Sequence, residues 1–283
     1  MTTCLRNSWR NLLLLCGTSA LLAAPALAQQ KTSSQTRPCR QPPCVTRTGQ
    51  TIVDAKIPDD AAVERMLKPY SGKVRALNVV IGKLEGELRK SGIGAGSLGN
   101  FVTDGIRSQG SAKLGRPVLL AVTNSGGLRK NTIAEGELRA TDIFELMPFE
   151  NALLQVELKG EDLLKLMAVI LDSRDAQSGA KIQYRMNGEK AELVSAKLID
   201  SRGQETEIDP NATYSLITID YLVNLASGRY SILQRGKNIT PLGITLRDAL
   251  MNYVKAETAA GRPIRATLDS RFVNVNPGGQ PND

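Results

Sequence analysis

The segment Thr123–Arg129, Thr-Asn-Ser-Gly-Gly-Leu-Arg, combines residue types that hold a small polar or anionic ligand, and we call it the glycine loop. Asn124 supplies a carboxamide, and Arg129 supplies a fixed cation with five N–H donors. Gly126 and Gly127 have no side chains, so the backbone can turn sharply and approach a ligand closely. The glycine loop is therefore the first candidate binding element.

A second group of ligand-binding residue types lies in the segment Met147-Pro148-Phe149-Glu150-Asn151. Pro148 stiffens the turn after a predicted short helix. Phe149 and Asn151 then lie at a helix–strand junction, where ligand contacts are common. Taken alone, Phe149 is more simply interpreted as a core residue.

The chain of 283 residues contains no histidine, and so it lacks the commonest general base and metal ligand. The segment Gly94–Gly99 matches G-x-G-x-x-G, but no acidic residue lies between Asp104 and Glu135, which excludes a dinucleotide-binding interpretation. The segment around Ser97 resembles the nucleophile elbow of a hydrolase. Because the chain has no histidine to act as the base, we interpret Ser97 as a helix cap.

The formal net charge is +8, a modest positive excess that favours anionic ligands. Aromatic residues make up 4% of the chain, and no dense basic stripe is present, so nucleic acid is not an expected partner. The acidic residues are scattered rather than clustered, so the sequence predicts no metal site and no cofactor in this chain.

Residues 1–28 have the pattern of a secretory signal peptide. Arg6 and Arg10 precede the apolar run 12–22, which is shorter than the roughly 20 residues that span a bilayer. A small-residue end predicts cleavage after Ala28. We expect a soluble periplasmic or extracellular protein without a membrane span after cleavage.

The remaining chain has three predicted parts. Residues 29–58 form a polar disordered arm, in which Cys39 and Cys44 could close a small disulfide loop in an oxidising compartment. Residues 59–273 form a single α+β domain, because helical and strand patterns are mixed without strict alternation. Residues 274–283 form a flexible tail.

Local patterns place the elements of this domain. A helix begins at Asp59-Asp60, and Pro69 ends or kinks it. The last helix begins at Thr245, which forms a capping-box pattern with Asp248, and runs to about Ala259. Apolar runs predict strands over residues 77–84, 118–123, 153–158, 182–186, 193–199 and 214–219.

The ordered set of motifs resembles the C-terminal domain of the secreted 5′-nucleotidase and UDP-sugar hydrolase family. The motifs are residues 98–104 (LGNFVTD), 123–129 (TNSGGLR), 142–144 (DIF), 147–151 (MPFEN), 158–160 (LKG) and 221–224 (YLVN). The resemblance covers the predicted domain and implies the mixed α/β fold of the 5′-nucleotidase C-terminal type. In that family an N-terminal metallophosphatase domain holds two metals and performs the hydrolysis, while the C-terminal domain grips the nucleoside.

The resemblance also implies a set of substrate-binding residues. Asn124 and Arg129 correspond to polar contacts from the glycine loop, Phe149 and Tyr221 to the two aromatic walls around the base, and Asn151 lies beside Phe149. Stacking a base on an aromatic ring contributes about 1–3 kcal/mol. The predicted set is Asn124, Gly126, Gly127, Arg129, Phe149, Asn151 and Tyr221. No catalytic residue is predicted.

Two departures from the family pattern affect ligand binding. Gly92 stands where the family usually has an arginine, and Arg89 is the nearest substitute. The loop 224–230 is one residue longer and lacks the aspartate that usually holds the ribose hydroxyls. Loss of such a charged hydrogen bond costs about 1.5–3 kcal/mol.

Three functions are consistent with these features. The chain, which shows only the second half of the family, could present nucleotides, nucleosides or nucleotide sugars to a separately encoded metallophosphatase, and alone it would be inactive. It could also be a stand-alone nucleoside-binding module. The third alternative is a degenerate scaffold, in which the fold persists but the surface serves protein contacts.

Overall fold

The computed structural model describes Ile52, Asp54 and residues 56–225 and 228–276. The predicted signal peptide, the Cys39–Cys44 segment, Ala226 and Ser227, and residues 277–283 lie outside the described residues. By its contacts the chain divides between Pro58 and Asp59, where the sequence places the start of the domain.

The described residues form a mixed set of helices and strands, as the predicted α+β class requires. The α-helices are α1 (Ala61–Ala76), α2 (Gly96–Leu114), α3 (Ala140–Leu146), α4 (Gly160–Asp172), α5 (Asp220–Asn224) and α6 (Leu246–Ala259). The strands are β1 (Val80–Glu85), β2 (Leu88–Arg89), β3 (Leu120–Thr123), β4 (Thr132–Ile133), β5 (Gly136–Arg139), β6 (Ala152–Lys159), β7 (Ala176–Ser178), β8 (Ala180–Asn187), β9 (Lys190–Ile199), β10 (Glu205–Glu207), β11 (Thr213–Ile219), β12 (Lys237–Thr245), β13 (Ile264–Arg265) and β14 (Phe272–Asn274). Short 3-10 helices cover Ile93–Ala95, Ser125–Gly127 and Arg229–Arg235.

The central sheet has five strands in the order β12-β6-β11-β3-β7. Strands β3 and β11 are parallel, while β6 and β7 run antiparallel to them. The register places Ile219 opposite Leu153 and Thr123 opposite Ala176. The carboxyl ends of β3 and β11 therefore meet the amino ends of β6 and β7 at one edge, which we call the loop edge.

The core lies against this sheet. Helix α2 contacts β3, β7 and α6, and buries the face that carries Leu98, Phe101, Val102 and Ile106. Helix α4 contacts β6 and β9 and buries its own apolar face, whose spacing of three and four residues is helical. Both helices pack against the central sheet, and the loop edge is left to the connecting segments.

Smaller sheets complete the domain. Their strand orders are β13-β1-β5, β10-β9-β8-β14 and β2-β4. The last strand, β14, pairs in parallel with β8. Just before it, the buried Arg271 guanidinium donates hydrogen bonds to the carboxylates of Asp104 and Asp269. Among the described residues, no helix is both long and apolar enough to cross a bilayer.

Three local predictions require correction. Of the two outcomes expected for Pro69, an end to the helix is wrong, because α1 continues to Ala76, and a kink stays a prediction. The first predicted strand, 77–84, begins at Val80. Ser97 is not a cap: it lies inside α2, the N-cap position is Ala95, and the Ser97 hydroxyl accepts a 2.9 Å hydrogen bond from the Arg89 backbone N–H.

Candidate functional site

A cavity of about 380 Å³ lies at the loop edge of the central sheet. The residues that line it are Asn124, Gly126, Gly127, Arg129, Phe149, Asn151 and Tyr221, all of which the sequence predicted as ligand-binding residues. Strand β3 leads into the glycine loop, β6 begins directly after Asn151, and β11 ends just before Tyr221. Adjacent strands therefore bring together residues that are distant in the sequence.

The glycine loop turns as a 3-10 helix after β3. The Gly127 N–H donates to the Asn124 carbonyl at 3.2 Å, and the Leu128 N–H donates to the Ser125 carbonyl at 3.1 Å. Neither Gly126 nor Gly127 has a positive φ, so the turn itself does not need glycine. What the glycines contribute is a cavity wall of bare backbone.

Asn124 carries an unpaired hydrogen-bond acceptor at this wall. Its side-chain Oδ1 is buried and has no hydrogen-bond partner among the described residues. An unsatisfied buried acceptor costs about 1–3 kcal/mol. Because this oxygen has almost no exposed surface, a ligand in the cavity would reach it only if the carboxamide rotated toward the cavity.

Arg129 presents a cation to the same cavity. Its backbone N–H donates to the Leu146 carbonyl at 2.9 Å, which fixes the end of the glycine loop. Its guanidinium carbon lies 5.9 Å from the centroid of the Phe149 ring, within cation–π range. Among the described residues Arg129 forms no salt bridge, whereas the adjacent Lys130 pairs with Asp142 and Glu145.

The two aromatic residues of the site are half exposed: Phe149 by 45% and Tyr221 by 50%. Phe149 is therefore not a core residue, which was the simpler interpretation of that position alone. Phe149 lies on the turn between α3 and β6, and Tyr221 lies in the first turn of α5. Two large rings at the surface of one cavity form an apolar lining for a flat ligand.

Arg247 braces the turn that carries Phe149. Its guanidinium donates to Glu150 Oε1 at 2.8 Å and to the Pro148 carbonyl at 3.4 Å, and its Cζ lies 4.4 Å from the centroid of Phe144. This side chain enters from α6, directly after β12. Sequence reasoning did not find Arg247, because nothing local links it to a turn 97 residues earlier.

Asp175 supports the glycine loop from below, and sequence reasoning missed it as well. It is 4% exposed and precedes β7 at the loop edge. Its Oδ1 accepts from the Ser125 N–H and its Oδ2 from the Tyr230 hydroxyl, both at 2.6 Å. Burial raises the pKa of Asp175, and these two hydrogen bonds oppose that rise. Burial, followed by the charge of Asp175, raises the pKa of Tyr230.

The two departures from the family pattern have different outcomes. Arg89 pairs with Glu87 and is not among the cavity-lining residues, so it does not replace the arginine missing at Gly92. A shallow depression beside the cavity shares Asn151 and Tyr221 and adds Asp220 to its walls. The Asp220 carboxylate, which accepts a 2.7 Å hydrogen bond from the Tyr221 backbone N–H, thus lines this depression, although loop 224–230 itself contains no carboxylate.

The donor set of the cavity does not fit a metal ion. Divalent metals in proteins need carboxylate, imidazole or thiolate ligands, usually several of them. The cavity lining instead offers a guanidinium, two carboxamides, two aromatic rings and backbone groups. These groups suit a flat, hydrogen-bonding, partly anionic organic ligand.

Comparisons with known proteins show the family of this chain. The family model described as 5′-nucleotidase, C-terminal domain, matches residues 77–235. Endonuclease YhcR of Bacillus subtilis is 27% identical over 227 residues, which cover 78% of this chain and 17% of that protein. Protein UshA of Yersinia enterocolitica is 26% identical over 171 residues, covering 59% of this chain and 29% of that protein.

The fold also has a counterpart among solved structures. The 5′-nucleotidase precursor from Thermus thermophilus superposes with a TM-score of 0.62 at 23% identity, over 77% of this chain and 44% of that one. This chain therefore spans less than half the length of the relatives and the structure it matches.

Proposed function

Because the chain belongs to the 5′-nucleotidase C-terminal domain family, we propose that it is an exported subunit that binds a nucleotide or nucleoside and presents it to a separately encoded metallophosphatase. The family's C-terminal domain is its substrate-binding part. One observation carries the proposal to this chain: two half-exposed rings, an unpaired carboxamide oxygen and a guanidinium without a salt bridge among the described residues line a single cavity.

In this proposal the base lies against Phe149 and Tyr221, each of which contributes about 1–3 kcal/mol by stacking. Asn124 Oδ1 accepts a hydrogen bond from an N–H or O–H of the ligand. Arg129 binds an anionic or hydroxyl group at the end of the glycine loop, where its planar guanidinium can form two parallel hydrogen bonds. A volume of about 380 Å³ is within the range of small-ligand sites.

Asp220 takes the place of the aspartate that loop 224–230 lacks. It lies in the first turn of α5 next to Tyr221, in the depression that adjoins the cavity. A carboxylate there can accept hydrogen bonds from two ribose hydroxyls. The charged hydrogen bonds to the sugar are thus retained, but they come from the start of α5.

Hydrolysis is assigned to the partner. The cavity residues do not form a metal site, and no cofactor is proposed for this chain. A phosphatase that carries its own two-metal centre would supply the metal-bound nucleophile. This chain would contribute binding and orientation of the nucleoside end of the substrate.

Export is proposed from the N-terminal pattern alone. The positive start, the apolar run and the small-residue end at Ala28 support cleavage in the secretory pathway. Mass spectrometry of the protein recovered from the periplasm or medium should find a mature N-terminus at Gln29. Recovery of the uncleaved chain from the cytoplasm would contradict this part of the proposal.

The binding claim is tested by calorimetric titration of the mature chain with adenosine, AMP and UDP-glucose, with inorganic phosphate as the control. Saturable binding of at least one nucleoside-containing ligand, much tighter than that of phosphate, is expected. Absence of binding to all three would favour the degenerate scaffold.

The claim that this chain presents its ligand to a metallophosphatase needs a separate measurement. Phosphate release from AMP by a secreted metallophosphatase that lacks this domain should rise when the mature chain is added. Binding without any effect on such phosphatases would leave the stand-alone binding module as the better description.

A further inference from the structure

Helix α1 carries an apolar stripe that no described residue covers. Its five large apolar side chains are 47–64% exposed, and none of its residues is buried. Their spacing of three, four, seven and eleven residues from the first places them on one face of the helix. The residues of this stripe are Val63, Met66, Leu67, Tyr70 and Val74.

Both ends of α1 are nevertheless well defined. The Asp60 side chain caps the start by accepting from the N–H groups of Ala62 and Val63. Just after the end, the Leu77 carbonyl accepts from both the N–H and the hydroxyl of Thr141 in α3. A 16-residue helix with an internal proline is marginal in water by itself, so its exposed stripe calls for a partner surface.

We propose that α1 pairs antiparallel with α1 of a second copy of this chain around a two-fold axis. The stripe is centred near Lys68 and Pro69, and the two-fold axis would pass through this point. Residues at equal distances on either side of that midpoint then meet, so that Val63 faces the partner's Val74 and Leu67 faces the partner's Tyr70. This register sets four of the five stripe residues opposite one another, and only Met66 has no stripe residue at the same distance from the midpoint.

The charges of α1 favour the same arrangement. Glu64 lies in the first turn and Arg75 in the last, eleven residues apart, which is close to three full turns. They therefore lie on the same flank of the stripe at opposite ends. In the antiparallel pair, Glu64 of each copy lies beside the partner's Arg75, whereas a two-fold parallel pair would put these flanks on opposite sides and form no such pairs.

The size of the contact predicts a weak dimer. A helix of 16 residues is about 24 Å long. One stripe on each side buries less than the roughly 1,200–2,000 Å² of a standard stable interface. Dissociation in the micromolar range is therefore expected, and the partner in this proposal is this chain itself.

Sedimentation equilibrium of the mature chain across a range of concentrations tests the proposal. Wild type should show a reversible monomer–dimer equilibrium. Glu64→Arg and Arg75→Glu should each weaken the dimer by about tenfold, because each creates two like-charge contacts. The double variant should return to within about threefold of wild type, since it restores both pairs with the charges exchanged.

Two further measurements keep the result interpretable. Tyr70→Glu should abolish the dimer, while thermal unfolding monitored by circular dichroism should show that the domain remains folded. Arg185→Glu, an exposed change on β8, serves as the control and should leave the dimer intact. A wild-type monomer at every concentration, or a double variant as weak as the single ones, would overturn the proposal and indicate that something else covers the stripe.

Discussion

The Tyr230 hydroxyl donates a 2.6 Å hydrogen bond to Asp175, the same buried carboxylate that accepts from the Ser125 N–H of the glycine loop. This contact joins the cavity wall to the 3-10 helix Arg229–Arg235, which begins within the last two residues of loop 224–230. Loop 224–230 departs from the family pattern, and yet Tyr230 at its end is joined through Asp175 to the glycine loop. The geometry of the cavity thus depends on one buried acid.

The first prediction concerns this acid and pH. Because burial raises the pKa of Asp175 above its unfolded value, its contribution to stability is fully present below the unfolded pKa and is lost as pH rises through the folded pKa. The free energy of unfolding of wild type minus that of Asp175→Asn should therefore fall between about pH 3 and neutrality. Urea denaturation at each pH measures it, and a flat or rising difference would contradict it.

Tyr230→Phe provides the matched control for this prediction. It removes the hydroxyl that stabilises the ionised carboxylate but keeps the buried ring. The cost should be about 1.5–3 kcal/mol near neutral pH and smaller in acid, where Asp175 is protonated. Arg229 also favours the ionised acid, and it is unchanged in both variants.

The second prediction separates the structural from the ligand-related role of the glycine loop. In Gly126→Ala the added Cβ would lie 3.5 Å from Asn124 Nδ2, an ordinary contact, so stability should change by less than about 1 kcal/mol. Ligand affinity should fall, because a methyl group would occupy the cavity wall. Calorimetry measures the affinity, and unchanged binding of AMP would show that the ligand does not approach this wall.

Two other glycine-to-alanine variants serve as references for the stability and affinity of Gly126→Ala. Gly72→Ala adds a methyl group in open space inside α1, so it should raise stability by up to about 1 kcal/mol through helix propensity and leave binding unchanged. Gly99→Ala would place its Cβ 2.0 Å from the Gly94 carbonyl oxygen and should destabilise the fold strongly. Gly126→Ala should resemble the first variant in stability but differ from it in affinity.

The third prediction concerns Arg129. If the anionic group at Arg129 is the phosphate, replacement by methionine should weaken AMP binding by about 1.5–3 kcal/mol and adenosine binding by less. Arg129→Lys should recover only part of the loss, since lysine cannot form the planar fork. Titrations at low and high salt measure both effects. Equal losses for AMP and adenosine would contradict the assignment of the phosphate to Arg129.

The sequence predicted elements where the signal is local. The start of α6 is an example: Thr245 caps it, and its hydroxyl accepts from the Asp248 N–H at 3.1 Å. Local chemistry failed at Ser97, whose hydroxyl pairs with the backbone of β2 while α2 begins at Gly96. The local sequence allows this hydroxyl either to cap α2 or to pair with a neighbouring strand, and only the tertiary fold decides between the two.

The candidate site shows the same difference between features that are local in the sequence and features that the tertiary fold sets. The motif order predicted the seven residues that line the cavity, although their part in ligand binding stays a prediction. Asp175 escaped notice because its partners lie 50 and 55 residues away and no motif contains it. Arg247 escaped for the same reason. Supporting residues of this kind are set by sheet order, which the amino-acid pattern does not reveal.

The most direct test of the account is calorimetric titration of AMP into wild type, Phe149→Ala, Tyr221→Ala and the double variant. Leu268→Ala, a change of an exposed apolar side chain outside the cavity, is the control. Each single change at the cavity should weaken binding by about 1–3 kcal/mol, and the double variant should lose detectable binding, while the control matches wild type. AMP affinity that is the same in all five proteins would contradict the claim that these two rings hold the base.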